Sequence, residues 1–394
     1  MAQVILDVET TTKNKGHVFD PQNFLVSYAL KIDDEPTIWK YYTDIDFLDV
    51  LRQALSRCSR FVNFACKFDL LWIRRVLNWT PPPDCVIWDV QLGEFILSGQ
   101  TLSYASLDDT LKSYGLDPKE DKVKEYWELG IDTPDIPIEI LKPYNIRDVE
   151  AIYEVLPLQQ QALNEKQRSL VLLEGEDMKT LMEAEWNGAK WDYEGADYAL
   201  RCYKDDLDVI DQKLWTFIPE EAKAYFNWNS GDDLSLLIYG GNGSYPYATE
   251  EPAVYKTGEK KGQAYVKRSW HTKEISFPLR FKPLEGTTVK KCLAPTYKGT
   301  LFYETNEPTL KQLKSRRKED KDLLDLLDKR AKVSKVVEML ESMHKLMTTL
   351  RWQDNLIHGQ YNQNVARTGR LSSSRPNLQN CPEELDKLLL TRYE

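Results

Sequence analysis

The 394-residue chain contains no apolar run near the ~20 residues needed to cross a bilayer. Its start, MAQVILDVET, lacks the basic stretch and apolar core of a secretory leader. No membrane partner is expected, and the expected location is cytoplasmic. Cysteine is sparse and scattered (Cys58, Cys66, Cys85, Cys202, Cys292, Cys381) with no CxxC pair. That excludes a zinc ribbon and a disulfide framework, and it fits a reducing compartment. There are no internal repeats and no long low-complexity tract. The net charge of -10 argues, taken whole, against nonspecific nucleic-acid binding. The charge is unevenly placed, however: acids dominate the first half, and basic residues gather at Lys256, Lys260, Lys261, Lys267, Arg268 and Lys273 and again at Lys311, Lys314, Arg316, Arg317 and Lys318. A phosphate partner would meet those local patches rather than the average.

At roughly 100–200 residues per domain, the length implies two or three domains. The first stretch alternates. Val4-Ile5-Leu6 reads as a buried strand, 24–32 and 36–42 as two more, 47–57 as a helix and 60–65 as a strand, with a helix from Phe68 to Leu77 and further helices after Pro81-Pro82-Pro83. This predicts an α/β domain around a mixed sheet, ending near residue 160 after a helical run at 137–156. Beyond it, 161–186, 194–215 and 309–350 read as helical. The stretch 240–305, rich in Gly, Pro and Lys with short alternating runs, reads as an inserted β-rich excursion. The tail from about 355 is too short for its own core. It is expected to pack on the helical domain or to be completed by another chain.

Asp7 and Glu9 end an apolar strand, and their i, i+2 spacing projects both carboxylates from one face. Such a pair at the edge of a buried sheet needs positive compensation, which a divalent ion supplies. Asp69 opens a helix just after a strand, and Asp148 lies in the helical run PYNIRDVEAIYEV, one turn after Tyr144. Each piece alone has a plainer reading: a helix N-terminal carboxylate for Asp69, a solvated helix residue for Asp148. Four carboxylates on separate elements can hold two Mg²⁺ ions and promote attack of water on a phosphodiester.

In order and context, DVET, CKFD and YNIRD resemble the three exonuclease motifs of the DEDD superfamily, tyrosine subclass. The resemblance covers about residues 1–160. It implies a ribonuclease H-like fold with Asp7, Glu9, Asp69 and Asp148 as metal ligands, Tyr144 positioning the attacking water, and Thr10 near the 3′-terminal nucleotide. One departure stands out. The asparagine usual two or three residues before the aromatic–Asp pair is replaced by Ala65, and Asn63 lies further upstream.

The segment NVARTGRLSSSRPNLQNCP, from Asn364 to Pro382, is rich in hydrogen-bonding side chains around Arg370. Read for its chemistry, it is either a polar surface loop or a set of donors for minor-groove acceptors. TGRLSS with PNLQN resembles a signature of family A DNA polymerases of the phage-like kind. FNWNSGDDLSLLIYGG (226–241) and YETNEPTLKQLK (303–314) are similar to that family's thumb. The resemblance implies a mainly helical thumb over 161–355 with an insertion at about 240–305, and the beginning of the palm over 356–394. It further implies that Thr368, Arg370, Asn377, Gln379 and Asn380 touch nucleic acid. Two Mg²⁺ ions, with Mn²⁺ as a substitute, are the implied cofactors. A single-stranded DNA 3′ end and a primer-template duplex are the implied partners, and the host cell cytoplasm the location if the chain is viral.

The family's later elements, an aspartate-bearing strand, a fingers helix and an HDE-like motif, have no counterpart before residue 394. The expectation is therefore a proofreading 3′→5′ exonuclease on one chain of a split polymerase, completed by a second chain carrying palm and fingers. A non-catalytic primer-template clamp, an artificial truncation and a free-standing RNA-trimming nuclease of the ribonuclease D kind are the competing readings. The TGRLSS segment speaks against the last.

Overall fold

A computed structural model describes residues 2–117, 122–258, 261–286, 289–290, 301–381 and 383–390. In chain order it has β1 (Ala2–Thr10), β2 (Leu25–Ile32), β3 (Ile38–Tyr41), α1 (Phe47–Ser56), β4 (Cys58–Asn63), α2 (Lys67–Leu77), β5 (Val86–Asp89), α3 (Val90–Leu97), α4 (Leu107–Ser113), α5 (Lys122–Glu128), α6 (Ile138–Ala162) and α7 (Glu165–Asn187). There follow β6 (Lys190–Trp191), α8 (Tyr193–Trp215), α9 (Gly231–Tyr239), β7 (Gly241–Val254), β8 (Ala264–Phe277), β9 (Val289–Lys290), β10 (Phe302–Tyr303), α10 (Glu307–Leu310), α11 (Lys318–Leu350), β11 (Gln360–Asn362), β12 (Ser372–Ser374) and β13 (Leu389–Leu390). Cys292 and Lys260 lie outside the described residues. Among the described residues the cysteines are unbonded, and no helix is long and apolar enough to cross a membrane.

Contacts divide the chain into two units, one of residues 1–193 with 343–394 and the other of 194–342. The first is built on a mixed sheet in the order β3-β2-β1-β4-β5. β1 pairs antiparallel with β2 and parallel with β4, and β4 pairs parallel with β5. Alternation along β1 sends Val4, Leu6 and Val8 into a core with α1 and α2, where Leu51, Leu55, Leu70 and Trp72 pack. Ile5 points the other way, onto Val62, Trp88, Val149 and Ile152, beneath α6. The sheet is thus covered on both faces, as a parallel core requires.

The expected boundary near 160 falls between α6 and α7, yet α7 packs on β5 within the first unit. The approach is close because residue 175 is glycine: a Cβ there would come within 2.3 Å of the Ile87 carbonyl oxygen. The tail also belongs to this unit rather than to the helical one. β13 pairs with β6, and Ile357 bridges Ala189. Gln363 Nε2 donates to Glu174 at 2.6 Å and to its carbonyl at 2.8 Å. Glu185 accepts Tyr361 N–H at 2.6 Å and pairs with Lys67 at 2.5 Å.

The second unit is mainly helical. Its core gathers Leu214, Phe226, Trp228, Leu236 and Ile238 with Tyr245, Ile275 and Phe277 from the root of the β7–β8 hairpin, and Leu323 and Leu327 from α11. The excursion expected at 240–305 contains this long hairpin; its stretch 291–300 lies outside the described residues.

Candidate active site

The sequence places Asp7 and Glu9 near the end of β1, opposite Ala29 and Ser27 of β2. Those two small residues are fully buried, and they leave room for α6 to lie across the strands. The loop entering α6 is tied to the end of β1. Thr133 Oγ1 donates to the Thr10 carbonyl at 2.6 Å, and Asp132 accepts from Thr12 N–H and its hydroxyl at 2.7 and 3.0 Å. With its start pinned there, α6 brings Asp148 to the strand carboxylates.

Carboxylate oxygens of Asp7, Glu9 and Asp148 all lie within 4.8 Å of one another. Glu9 and Asp148 are buried and Asp7 is half-buried. Asp69 stands apart from this group of three. Its Oδ1 accepts the Val8 N–H at 3.0 Å, an amide that β4 does not reach because its pairing with β1 stops at Ile5↔Val62. Burial, and next the Asp7 carboxylate, push the Asp69 carboxyl well above the ordinary range. Burial is the larger of the two causes, and the Val8 N–H bond works against both.

Tyr144 is half-buried one turn before Asp148, its ring edge-on to Trp127 at 6.0 Å. Thr10 is buried, and its hydroxyl donates to the Thr11 carbonyl at 3.1 Å. The adjoining turn needs Gly16: φ is +68°, and a Cβ there would sit 2.5 Å from Thr10 Oγ1. Asn63 is fully buried; its Oδ1 accepts Phe64 N–H at 2.8 Å, and its side chain acts on the Asp69 carboxyl as a hydrogen-bond donor.

Two residues that sequence reasoning missed shape this site. Asn145, fully buried three residues before Asp148, donates from Nδ2 to Asp7 Oδ2 at 2.6 Å. Asp89 ends β5, caps α3 through Gln91 and Leu92 N–H, and also accepts from Ala65 and Cys66 N–H at 3.2 and 2.7 Å. It clamps the turn that launches α2, where Ala65 takes φ of +60°, and so fixes Asp69. The Asp-before-helix pattern of VIWD is a readable N-cap signal. Burial raises the Asp89 carboxyl against those four bonds.

Two hollows flank Phe68. One of about 310 Å³ is lined by Lys67, Gln91, Tyr104, Gln363 and Asn364 among others; one of about 290 Å³ is lined by Lys15, His17, His358 and Arg375 among others. Further along the tail, Ser373 Oγ donates to Asn377 Oδ1 at 2.9 Å and accepts Gln379 N–H at 3.2 Å. Thr368, Arg370, Asn377 and Gln379 are exposed; the Asn380 side chain lies outside what is described.

Residues 281–392 match the family model for DNA polymerase family A. The sequence matches no curated protein. In fold, the chain is similar to the POL domain of Pol1 from M. smegmatis, solved with DNA primer-template and dNTP, with a TM-score of 0.58 at 15% identity. That likeness covers 96% of this chain and 52% of the other, so the chain spans about half its length. The C-terminal part thus carries a family A polymerase-like region, and the mixed α/β fold is similar to that of a polymerase domain.

Proposed function

We propose that the chain is a metal-dependent 3′→5′ exonuclease of the tyrosine DEDD kind, with a ribonuclease H-like domain, joined to the DNA-holding part of a family A DNA polymerase. The observation that carries this reading is the convergence of Asp7, Glu9 and Asp148 within 4.8 Å, in a chain whose residues 281–392 match that polymerase family.

The donor set fits a divalent cation. Three carboxylates this close, two of them buried, repel one another unless a hard cation lies between them, and all-oxygen ligation suits Mg²⁺ or Mn²⁺. Asp7, Glu9 and Asp148 would hold one ion, and Asp69 would share a second with Asp7. When bound, such ions supply charge at the scissile phosphate and make an attacking water more acidic. The chain's own residues do the rest. Asn145 holds the Asp7 carboxylate in one orientation, Tyr144 aligns the water, and Thr10 seats the terminal nucleotide. Lys67 and Tyr104, in the hollow beside Phe68, line the approach for the single strand. Exposed Thr368, Arg370, Asn377 and Gln379, with Asn380, hold the primer-template duplex.

Primer extension requires palm and fingers elements that these residues do not include; a second chain bringing them is tested by copurification and by recovery of extension on mixing. The nuclease is tested by degradation of 3′-labelled single-stranded DNA with Mg²⁺ and with EDTA. Metal-dependent loss of label supports it. Retention of label in both leaves a DNA-holding subunit and refutes the enzyme.

A further inference from the structure

The β7–β8 hairpin is rooted in the second unit's core but exposed over most of its length. Gly243, Tyr245, Ile275 and Phe277 are buried, whereas from Pro246 to Thr272 nearly every described residue faces solvent. Two strands without a third, wet on both faces, are marginal by themselves. A natural surface that spends large side chains there implies a ligand.

The two faces differ in chemistry. Opposed residues share a face, so the pairings Tyr247↔His271, Thr249↔Ser269, Glu251↔Lys267 and Ala253↔Tyr265 define one side, continued by Tyr255 against Gln263. On it, the Tyr247 and His271 rings lie 5.3 Å apart and the Tyr255 and Tyr265 rings 4.4 Å apart. Thr249 Oγ1 lies 3.0 Å from His271 Nε2, which fixes that ring. The two aromatic pairs are about 23 Å apart at ~3.3 Å per residue, averaged over the two strands. Among the described residues of this side the one acid, Glu251, is opposed by Lys267, and Lys256 and Lys261 are exposed beside the turn. Over 241–277 the sequence has six Lys or Arg to four Asp or Glu, within a chain of net charge -10. The opposite face is the more apolar, with Trp270 71% exposed and Val266 61%, and its Glu250 is ion-paired with Arg268.

We propose that the tyrosine face of this hairpin binds single-stranded nucleic acid, with bases stacked on the Tyr247–His271 and Tyr255–Tyr265 pairs and phosphates met by Lys256, Lys261 and Lys267. Aromatic rings interleaved with lysine along a ribbon make a platform that any base can use. A duplex hides the base faces that stacking needs, so the single strand is the fitting partner. The proposal does not rest on the nuclease reading, since none of these residues belongs to the carboxylate site.

The test uses the full chain and a fluorescent, covalently closed (dT) circle of about 40 nucleotides, which offers no 3′ end to the first unit. Binding is followed by anisotropy against salt. Tyr255→Ala with Tyr265→Ala should weaken it about tenfold. Lys256→Glu with Lys261→Glu should flatten the salt dependence by about 0.7 in slope for each lysine that meets a phosphate. Asp7→Ala should bind the circle as the parent does, which separates this site from the nuclease. A 5-iodouracil circle should crosslink within residues 245–273 of the unmodified protein, a readout independent of how any variant folds. Unchanged affinity in both paired variants, crosslinks elsewhere, or loss only with Trp270→Ser would overturn the proposal; the last would point to a protein on the apolar face.

Discussion

Asn145 Nδ2 donates to both Asp7 Oδ2, at 2.6 Å, and the Asp7 carbonyl, at 3.2 Å, while its own oxygen accepts from the Ser27 hydroxyl at 3.2 Å. The Asp7 carboxylate is thereby locked by a buried amide, itself locked by the neighbouring strand. Groups that orient metal ligands typically matter by 10–100-fold in affinity or activity. Asn145→Ala should therefore weaken Mn²⁺ binding by about that factor, read by calorimetry, and lower nuclease turnover in parallel. Unchanged Mn²⁺ affinity would reduce Asn145 to a packing role.

Asp7→Ala should abolish digestion of 3′-labelled single strands while far-ultraviolet circular dichroism stays unchanged, because the buried Asn145 Nδ2 keeps the Asp7 carbonyl as an acceptor when the carboxylate is removed. Tyr144→Phe should slow the chemical step and leave KM for the oligonucleotide nearly constant. Wild-type rates in the first variant would remove Asp7 from the proposed site.

Asp89→Ala should destabilise the first unit by about 3 kcal/mol, since four backbone N–H groups lose a charged acceptor in a buried turn. Denaturant midpoints followed by tryptophan fluorescence check this. Nuclease activity should fall with stability, because the same turn aims Asp69.

His17 is held neutral: burial first, and then the nearby His358 and Arg375, lower its pKa to about 4. Between pH 6.5 and 4 the unfolded chain binds a proton there that the folded one refuses. This contribution to stability is therefore full above pH 6.5 and lost as pH falls toward 4, by at most about 1.4 kcal/mol per pH unit. His17→Gln should flatten the pH dependence of the denaturant midpoint in that window. An unchanged slope would mean that other groups set it.

Arg370→Ala should weaken binding of a primer-template duplex about tenfold, in the range of one lost bidentate contact, and leave single-strand digestion nearly constant. Equal loss of both would place Arg370 in the nuclease path instead.

The sheet and its helices were legible because short apolar runs are bounded by polar turns. The runs 24–32 and 36–42 contain β2 and β3, and 47–57 contains α1. The helix expected at 137–156 extends to Ala162, and the one expected from 309 is broken, with α10 separate from α11 starting at Lys318. Asp7, Glu9 and Asp148 could be singled out by motif. Asn145 could not, because its role depends on how α6 crosses β1, a contact 138 residues apart in sequence. The hairpin was read only as β-rich. AYVKRSW mixes apolar and basic residues on both faces, and no buried side existed to declare its register.

The first unit is not continuous in sequence. Trp191 Nε1 donates to His344 at 3.1 Å and the Tyr193 hydroxyl to the Met347 carbonyl at 3.2 Å, so the chain leaves and re-enters at one seam. Shortening the gene to remove only the tail after residue 355 would leave those two bonds in place. It would strip Ile357 and Leu389 from the strands before α8 and open the α7 flank of the sheet that presents the carboxylates. In genetic terms, late nonsense mutations should behave as losses of both capacities at once.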